Sequence, residues 1–161
     1  MYTIYSWENR TKAEKESNKK LIKRLSKSKN KKINNLADEL HEQVFNDIDC
    51  LDCANCCKSI PPIINDMDVK RAAKYLGIRP VDFKEKYVKI DRDLDMVISS
   101  SPCPFLLADN NCEIYDGRPR ACREYPHTDN YEFLKNVRLH KDNVDYCPAV
   151  YHIVEGLRLK A

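Results

Sequence analysis

The chain has 161 residues, a net charge of +3 and 33% charged side chains, which suits one domain with a core of useful size. It holds no run of about 18 apolar residues, so no membrane-spanning helix is expected. The opening residues lack the basic stretch and apolar segment of a secretory signal, which leads us to expect a cytoplasmic protein whose eight cysteines stay reduced.

Charge is unevenly distributed. Between Arg10 and Lys32 stand eleven Lys or Arg against Glu14 and Glu16, a local +9 in a chain of net +3, so the remainder carries −6. Residues 1–32 read as a basic N-terminal arm or peripheral helix, broken at Ser26-Lys27-Ser28-Lys29-Asn30, and residues 33–161 as the domain. A solvated basic helix accounts for such a run. Nucleic acid is an alternative partner for it, although no aromatic residue interleaves the lysines as a stacking platform.

From Ile33 the apolar residues Ile33, Leu36, Leu40, Val44 and Ile48 recur at spacings of three and four, which predicts an amphipathic helix running almost into Cys50. The next helix is capped by Asn65 or Asp66, turns Val69, Ala72, Ala73 and Leu76 inward, and stops at Gly77. A short one follows from Pro80, with Val81, Phe83, Tyr87 and Val88 on its face. Residues 95–100 have strand character, and residues 105–107 and 112–115 predict a small hairpin about Asp109-Asn110-Asn111. Residues 136–139 read as mixed and 149–159 as a closing helix. The expected fold is α+β, mostly α, with a minor β-hairpin, organised around cysteine-ligated metal.

Cys50, Cys53, Cys56 and Cys57 fall within eight residues, and Cys103, Cys112, Cys122 and Cys147 are spread over the C-terminal half. Together they offer eight sulfur ligands. Thiolates suit zinc, copper(I) and iron–sulfur clusters rather than magnesium or calcium. Zinc takes four tetrahedral ligands, usually as two CxxC pairs, and here Cys50 and Cys53 would supply one pair, with two of the later cysteines closing the site. Cys50, Cys53 and Cys56 have the spacing of the first three ligands of bacterial ferredoxins, and Cys103-Pro104 and Cys147-Pro148 partly match the cysteine–proline that completes that pattern. The spacing gives a slight preference for iron–sulfur over zinc. Adjacent Cys56 and Cys57 are expected to serve different sites, or one of them to be an inert buried thiol, and Cys57 is the least defined of the eight. A nucleophilic cysteine with His127 or His140 as base is a weaker reading.

Three motifs then stand in order after the CxxCxxCC run: Cys103-Pro104-Phe105-Leu106, the stretch from Cys112 through Arg118-Pro119 to Cys122-Arg123-Glu124-Tyr125-Pro126, and Cys147-Pro148. In this combination the chain resembles the YkgJ-like cysteine-cluster family, described as zinc- or iron-chelating, over about Cys50 to Pro148. The resemblance implies metal binding by the matching cysteines. It also extends to the cysteine cluster of flagellin lysine methylases, which implies an iron–sulfur centre as one outcome.

Arg118, Arg123 and Tyr125, close in sequence to Cys112 and Cys122, are expected around the metal, where cationic donors would offset thiolate charge. The alternative for Arg123 is a carboxylate partner, Glu113 or Asp116. His127 is a further candidate ligand. Two functions follow: a metal-binding module, or an iron-dependent redox or modification enzyme using the same cluster. A nucleic-acid-binding zinc protein is the third and weakest. No protein partner is indicated by the sequence.

Overall fold

The structure, a computed structural model, describes residues 1–160. In chain order its elements are α1 (Ile4–Glu8), α2 (Lys12–Leu25), α3 (Lys32–Asp47), α4 (Cys50–Cys53), α5 (Asn55–Ser59), α6 (Asp66–Leu76), α7 (Pro80–Tyr87), β1 (Val88–Ile90), β2 (Met96–Ile98), α8 (Arg120–Glu124), α9 (Val137–Tyr146) and α10 (Pro148–Lys160). A 3₁₀ turn at Tyr115–Gly117 precedes α8. No helix among the described residues is long and apolar enough to cross a membrane. The chain divides into two compact units, one formed by Met1–Cys53 with the segment from Pro126 onward, the other by Ala54–Tyr125.

The first unit is a helical assembly around α10, which is buried from Pro148 to Val154 and again at Gly156 and Leu157. A helix apolar on most sides belongs in a centre. Leu40 and Val44 of α3, Leu21, Ile22 and Leu25 of α2, and Val137 and Val144 of α9 join Val150, Val154 and Leu157 in one core. Each leucine buried there contributes roughly 1.5–3 kcal/mol. Gly156 permits the close approach of α3: a Cβ at this position would stand 2.5 Å from Leu40 Cδ2. The basic segment takes part directly. Thr11 and Glu14 form a reciprocal capping box at the start of α2, and Arg10 lies 4.3 Å over the ring of Trp7, whose indole N–H donates to the Val144 carbonyl at 3.2 Å.

The second unit is smaller and less regular. Asn65 and Asp68 form a capping box on α6, Gly77 ends that helix with φ of 69°, and Val69, Ala72 and Ala73 pack with Ile64, Phe83, Ile98, Phe105 and Ile114. Pro80 occupies the first turn of α7. β1 and β2 pair antiparallel, Lys89 opposite Val97, and the main chain at Ile64 and Pro62 bonds β2 on its other side.

Three expectations need correction. Val88 belongs to β1 rather than to a helix face. The turn after it is set by Asp91, whose carboxylate accepts the N–H groups of Asp93 and Asp95. The hairpin is therefore β1–β2. Around Asp109–Asn111 the pairing amounts to a single bridge, Leu106 with Cys112, after which the chain coils into the 3₁₀ turn. Residues 136–139 open a full helix, α9, whose buried positions Val137, His140 and Val144 fall at i, i+3 and i+7. The pattern is visible once His140 is counted with the apolar face.

Candidate metal centre

All eight cysteines are free thiols. The two units divide them: Cys50, Cys53 and Cys147 lie in the first, and Cys56, Cys57, Cys103, Cys112 and Cys122 in the second.

In the second unit, Ala54 adopts a left-handed conformation with φ of 47°, and α5 starts there with Cys56 and Cys57 in its single turn. The Cys57 carbonyl accepts the Cys103 N–H at 2.8 Å, the Cys103 carbonyl accepts the Leu106 N–H at 3.1 Å, and Leu106 bridges to Cys112. Three cysteine positions are thus joined through main chain. Cys122 arrives on α8, and α6 fixes where that helix begins. The buried Asp68 carboxylate accepts the Arg120 N–H at 3.0 Å and pairs with Arg71, which in turn donates to the Arg118 carbonyl at 2.7 Å. Bonds from Arg71 and from the amides of Arg120 and Asn65 outweigh burial and hold Asp68 below the usual carboxylate range.

The four thiols act on one another electrostatically. Cys57 is lowered to about 7, first by a hydrogen bond from Cys56 and then, against burial, by the charges of Arg118 and Lys58. Burial pushes Cys122 up to about 12, and the charges of Cys57, Cys103 and Cys112 add to the rise. Cys103 goes up to about 11 by burial, with the N–H groups of Phe105 and Leu106 directed at its sulfur and pulling against it. Cys112 rises for the same first reason, opposed by the Ile114 N–H and by Arg118. One thiolate among three neutral thiols favours the arrival of a cation.

In the first unit, Cys50 and Cys53 bound the single turn α4, which Asp49 starts by accepting the Leu51 N–H at 2.8 Å. Cys147 follows α9 and immediately precedes Pro148, the first residue of α10. Proline there lacks an N–H, and the next two amides, Ala149 and Val150, are directed at the Cys147 sulfur in the manner of a helix cap. Burial nevertheless pushes this thiol up to about 12, and the charges of Cys50 and Cys53 add to the rise. Cys103-Pro104 repeats the device, with Phe105 and Leu106 as donors. The proline signal read from sequence as a ferredoxin likeness thus has a local physical role.

The Cys50, Cys53 and Cys56 spacing is divided between the units, and Cys57 is the member of the run within electrostatic reach of Cys103, Cys112 and Cys122. Among the described residues no group of three or more Cys, His, Asp or Glu is arranged so as to hold a metal ion. Arg118 stacks 3.5 Å over Tyr115 and lowers Cys57 while opposing the rise of Cys112 and Cys122. Arg123 is exposed on α8, and Tyr125, half-buried, follows that helix. His127 acts on the buried His140, which stacks on Phe133 at 4.4 Å and is lowered to about 4, chiefly by burial. Sequence reasoning missed the Asp68–Arg71 bracket, whose signal was only an acid at the third position of a helix.

The donor set fits a soft metal. Eight of the nine candidate ligands are sulfur, His127 being the exception, and main-chain N–H groups already face Cys103, Cys112 and Cys147, as they do around metal-bound thiolates. Residues 49–148 match the family model CxxCxxCC, described as "Putative zinc- or iron-chelating domain". No curated protein and no solved structure matches the chain.

Proposed function

This chain belongs to the CxxCxxCC family of zinc- or iron-chelating domains, and from that premise we propose that it holds metal at two thiolate centres, with iron–sulfur ligation the preferred form. Cys57, Cys103, Cys112 and Cys122 make one donor set, and Cys50, Cys53 and Cys147 the other. The observation that carries the proposal is the pairing of thiols with directed amides, most clearly the Ala149 and Val150 N–H groups at Cys147. Such bonds stabilise a thiolate, while burial keeps the free thiol protonated until a cation replaces the proton.

Four sulfurs complete a coordination shell, whereas three leave a position open. A bound iron–sulfur cluster supplies one-electron transfer, and an iron without a protein sulfur supplies a Lewis-acid position. The protein's own part is to orient the sulfurs and offset their charge, which Arg118 does from its seat on Tyr115. Arg123 and Tyr125 are proposed to extend this surround from α8. Zinc is the second reading for the four-sulfur set, because four thiolates are its usual structural complement.

Anaerobic purification with elemental analysis and visible spectroscopy tests the reading. A brown protein whose iron falls by one centre's share in Cys57→Ser, and by the other's in Cys147→Ser, supports it. A colourless, zinc-loaded protein overturns the iron assignment, and loss of all metal in either single variant overturns the two-centre assignment.

A further inference from the structure

The eleven basic side chains between Arg10 and Lys32 do not share one environment. Arg10 donates to the Asp145 carbonyl at 2.9 Å, and Lys19 pairs with the Asp145 carboxylate at 2.5 Å. The remaining nine are exposed. At about 100° per residue, Lys12, Lys20 and Lys23 project from the side of α2 opposite the buried Leu21, Ile22 and Leu25, with Glu16 among them, while Lys15 lies on the flank beside Ile22. Glu14 is consumed by the capping box, which leaves Glu16 as the only other acid in the segment.

This concentration of charge opposes the local structure. Lysines three and four apart on a helix repel. After the turn, α3 opens on Lys31 and Lys32 with no acidic residue in its first turn; Asn30 accepts the Lys32 N–H through its side chain and the Ile33 N–H through its carbonyl, both at 3.1 Å, so the exposed lysines here meet no acidic side chain of that turn. A polyanion would relieve that repulsion. Its class follows from what the surface lacks: none of the large apolar side chains exposed among the described residues lies between positions 10 and 32. Nothing there would anchor in an acyl layer or stack on unpaired bases. Contact with phosphate along a duplex remains. Lys12 to Lys23 spans about 16 Å of helix, enough to reach phosphates on both sides of a major groove about 12 Å wide.

We propose that the outer face of α2, with the turn into α3, binds the backbone of double-stranded nucleic acid without reading bases. The inference is independent of the metal assignment. It is tested with full-length protein and a short fluorescent DNA duplex of random sequence, by anisotropy across a salt series. Binding should weaken with a slope of about −4 in log K against log salt, the signature of four or five phosphate contacts. The variant Lys12→Glu/Lys20→Glu/Lys23→Glu should bind at least about tenfold more weakly at low salt while its circular dichroism is unchanged. Lys12→Gln/Lys20→Gln/Lys23→Gln removes the charge without adding acid, and should also lose affinity. Reversal of Lys70, Lys74 and Lys86, exposed in the other unit, should change binding less than about twofold. Absence of duplex binding at low salt overturns the proposal. So does equal loss in the two reversed variants, or tighter binding to phosphatidylserine vesicles than to the duplex.

Discussion

In the unit built from α2, α3, α9 and α10, helices bury a continuous apolar core, and the thiols of Cys50, Cys53 and Cys147 stand at helix ends. In the unit built from α6, α7 and the β1–β2 pair, the apolar cluster is smaller, and residues 99–119, which bring Cys103 and Cys112, contain no α-helix and no strand of the sheet. The difference concerns what holds each unit together. The helical unit can fold on burial, whereas the other, with its smaller apolar cluster, depends under the proposed assignment on metal held by its four thiols as well.

Metal removal is the strongest way to separate them. Chelation should abolish amide-exchange protection around Cys103, Cys112 and Cys122 and leave α3 and α10 protected, because a structural thiolate site contributes on the order of 10 kcal/mol to folding. If both units lose protection together, the contrast fails. The same set should bind metal with steep pH dependence. With Cys57 lowered to about 7, Cys103 raised to about 11 and Cys122 to about 12, and Cys112 raised as well, metal must displace roughly three protons at neutral pH. Affinity should rise by about a thousandfold per pH unit above pH 7, and calorimetry in buffers of different ionisation enthalpy should count the protons. Release of one proton or fewer would break the assignment of four thiols to one site.

The converse prediction strikes the helical unit. Leu40 is fully buried beside Gly156, and Leu40→Ala should cost about 2–5 kcal/mol of stability there. Metal retained by Cys57, Cys103, Cys112 and Cys122 should be unchanged in that variant. Thermal unfolding followed with metal release distinguishes one cooperative transition from two.

Much of the helical framework is legible in the sequence because it obeys a single period. Ile33 to Val44, Val69 to Leu76 and the closing helix were recoverable from spacing and caps. The α9 helix escaped because one of its three buried positions is His140, a residue that reads as polar until its burial against Phe133 is known. Number and density marked the cysteines as candidate ligands, but their division between the two units could not be read from sequence. The Cys57 carbonyl, which accepts the Cys103 N–H, follows the left-handed Ala54, a backbone state that alanine seldom adopts and no local residue announces. The Asp68–Arg71 bracket escaped for a related reason: its contacts to Arg118 and Arg120 span about fifty residues, and periodicity carries no information at that range.

Acid should act on the two units through different groups. His140 is held near 4 against an ordinary 6.5, so the fold disfavours its protonated form. Its contribution is complete above pH 6.5 and is lost as pH falls toward 4, on the order of 3 kcal/mol from the helical unit. His140→Leu should flatten that limb when stability is measured between those pH values, and an unchanged limb would assign it elsewhere. Asp68 is shifted in the direction that keeps it ionised, so its contribution is complete above its ordinary 3.8 and lost only below that. By then the thiols have recovered their protons and any metal has left, so acid cannot isolate Asp68. Its effect has to be read at neutral pH in metal-loaded protein. Asp68→Asn keeps an oxygen for the Arg120 amide but gives up the charge that Arg71 pairs with, and should destabilise the thiol-bearing unit by about 1–2 kcal/mol. Because Asp68 fixes the start of α8, the loss should appear as faster metal release from the set containing Cys122, with the rate at Cys147 unaffected.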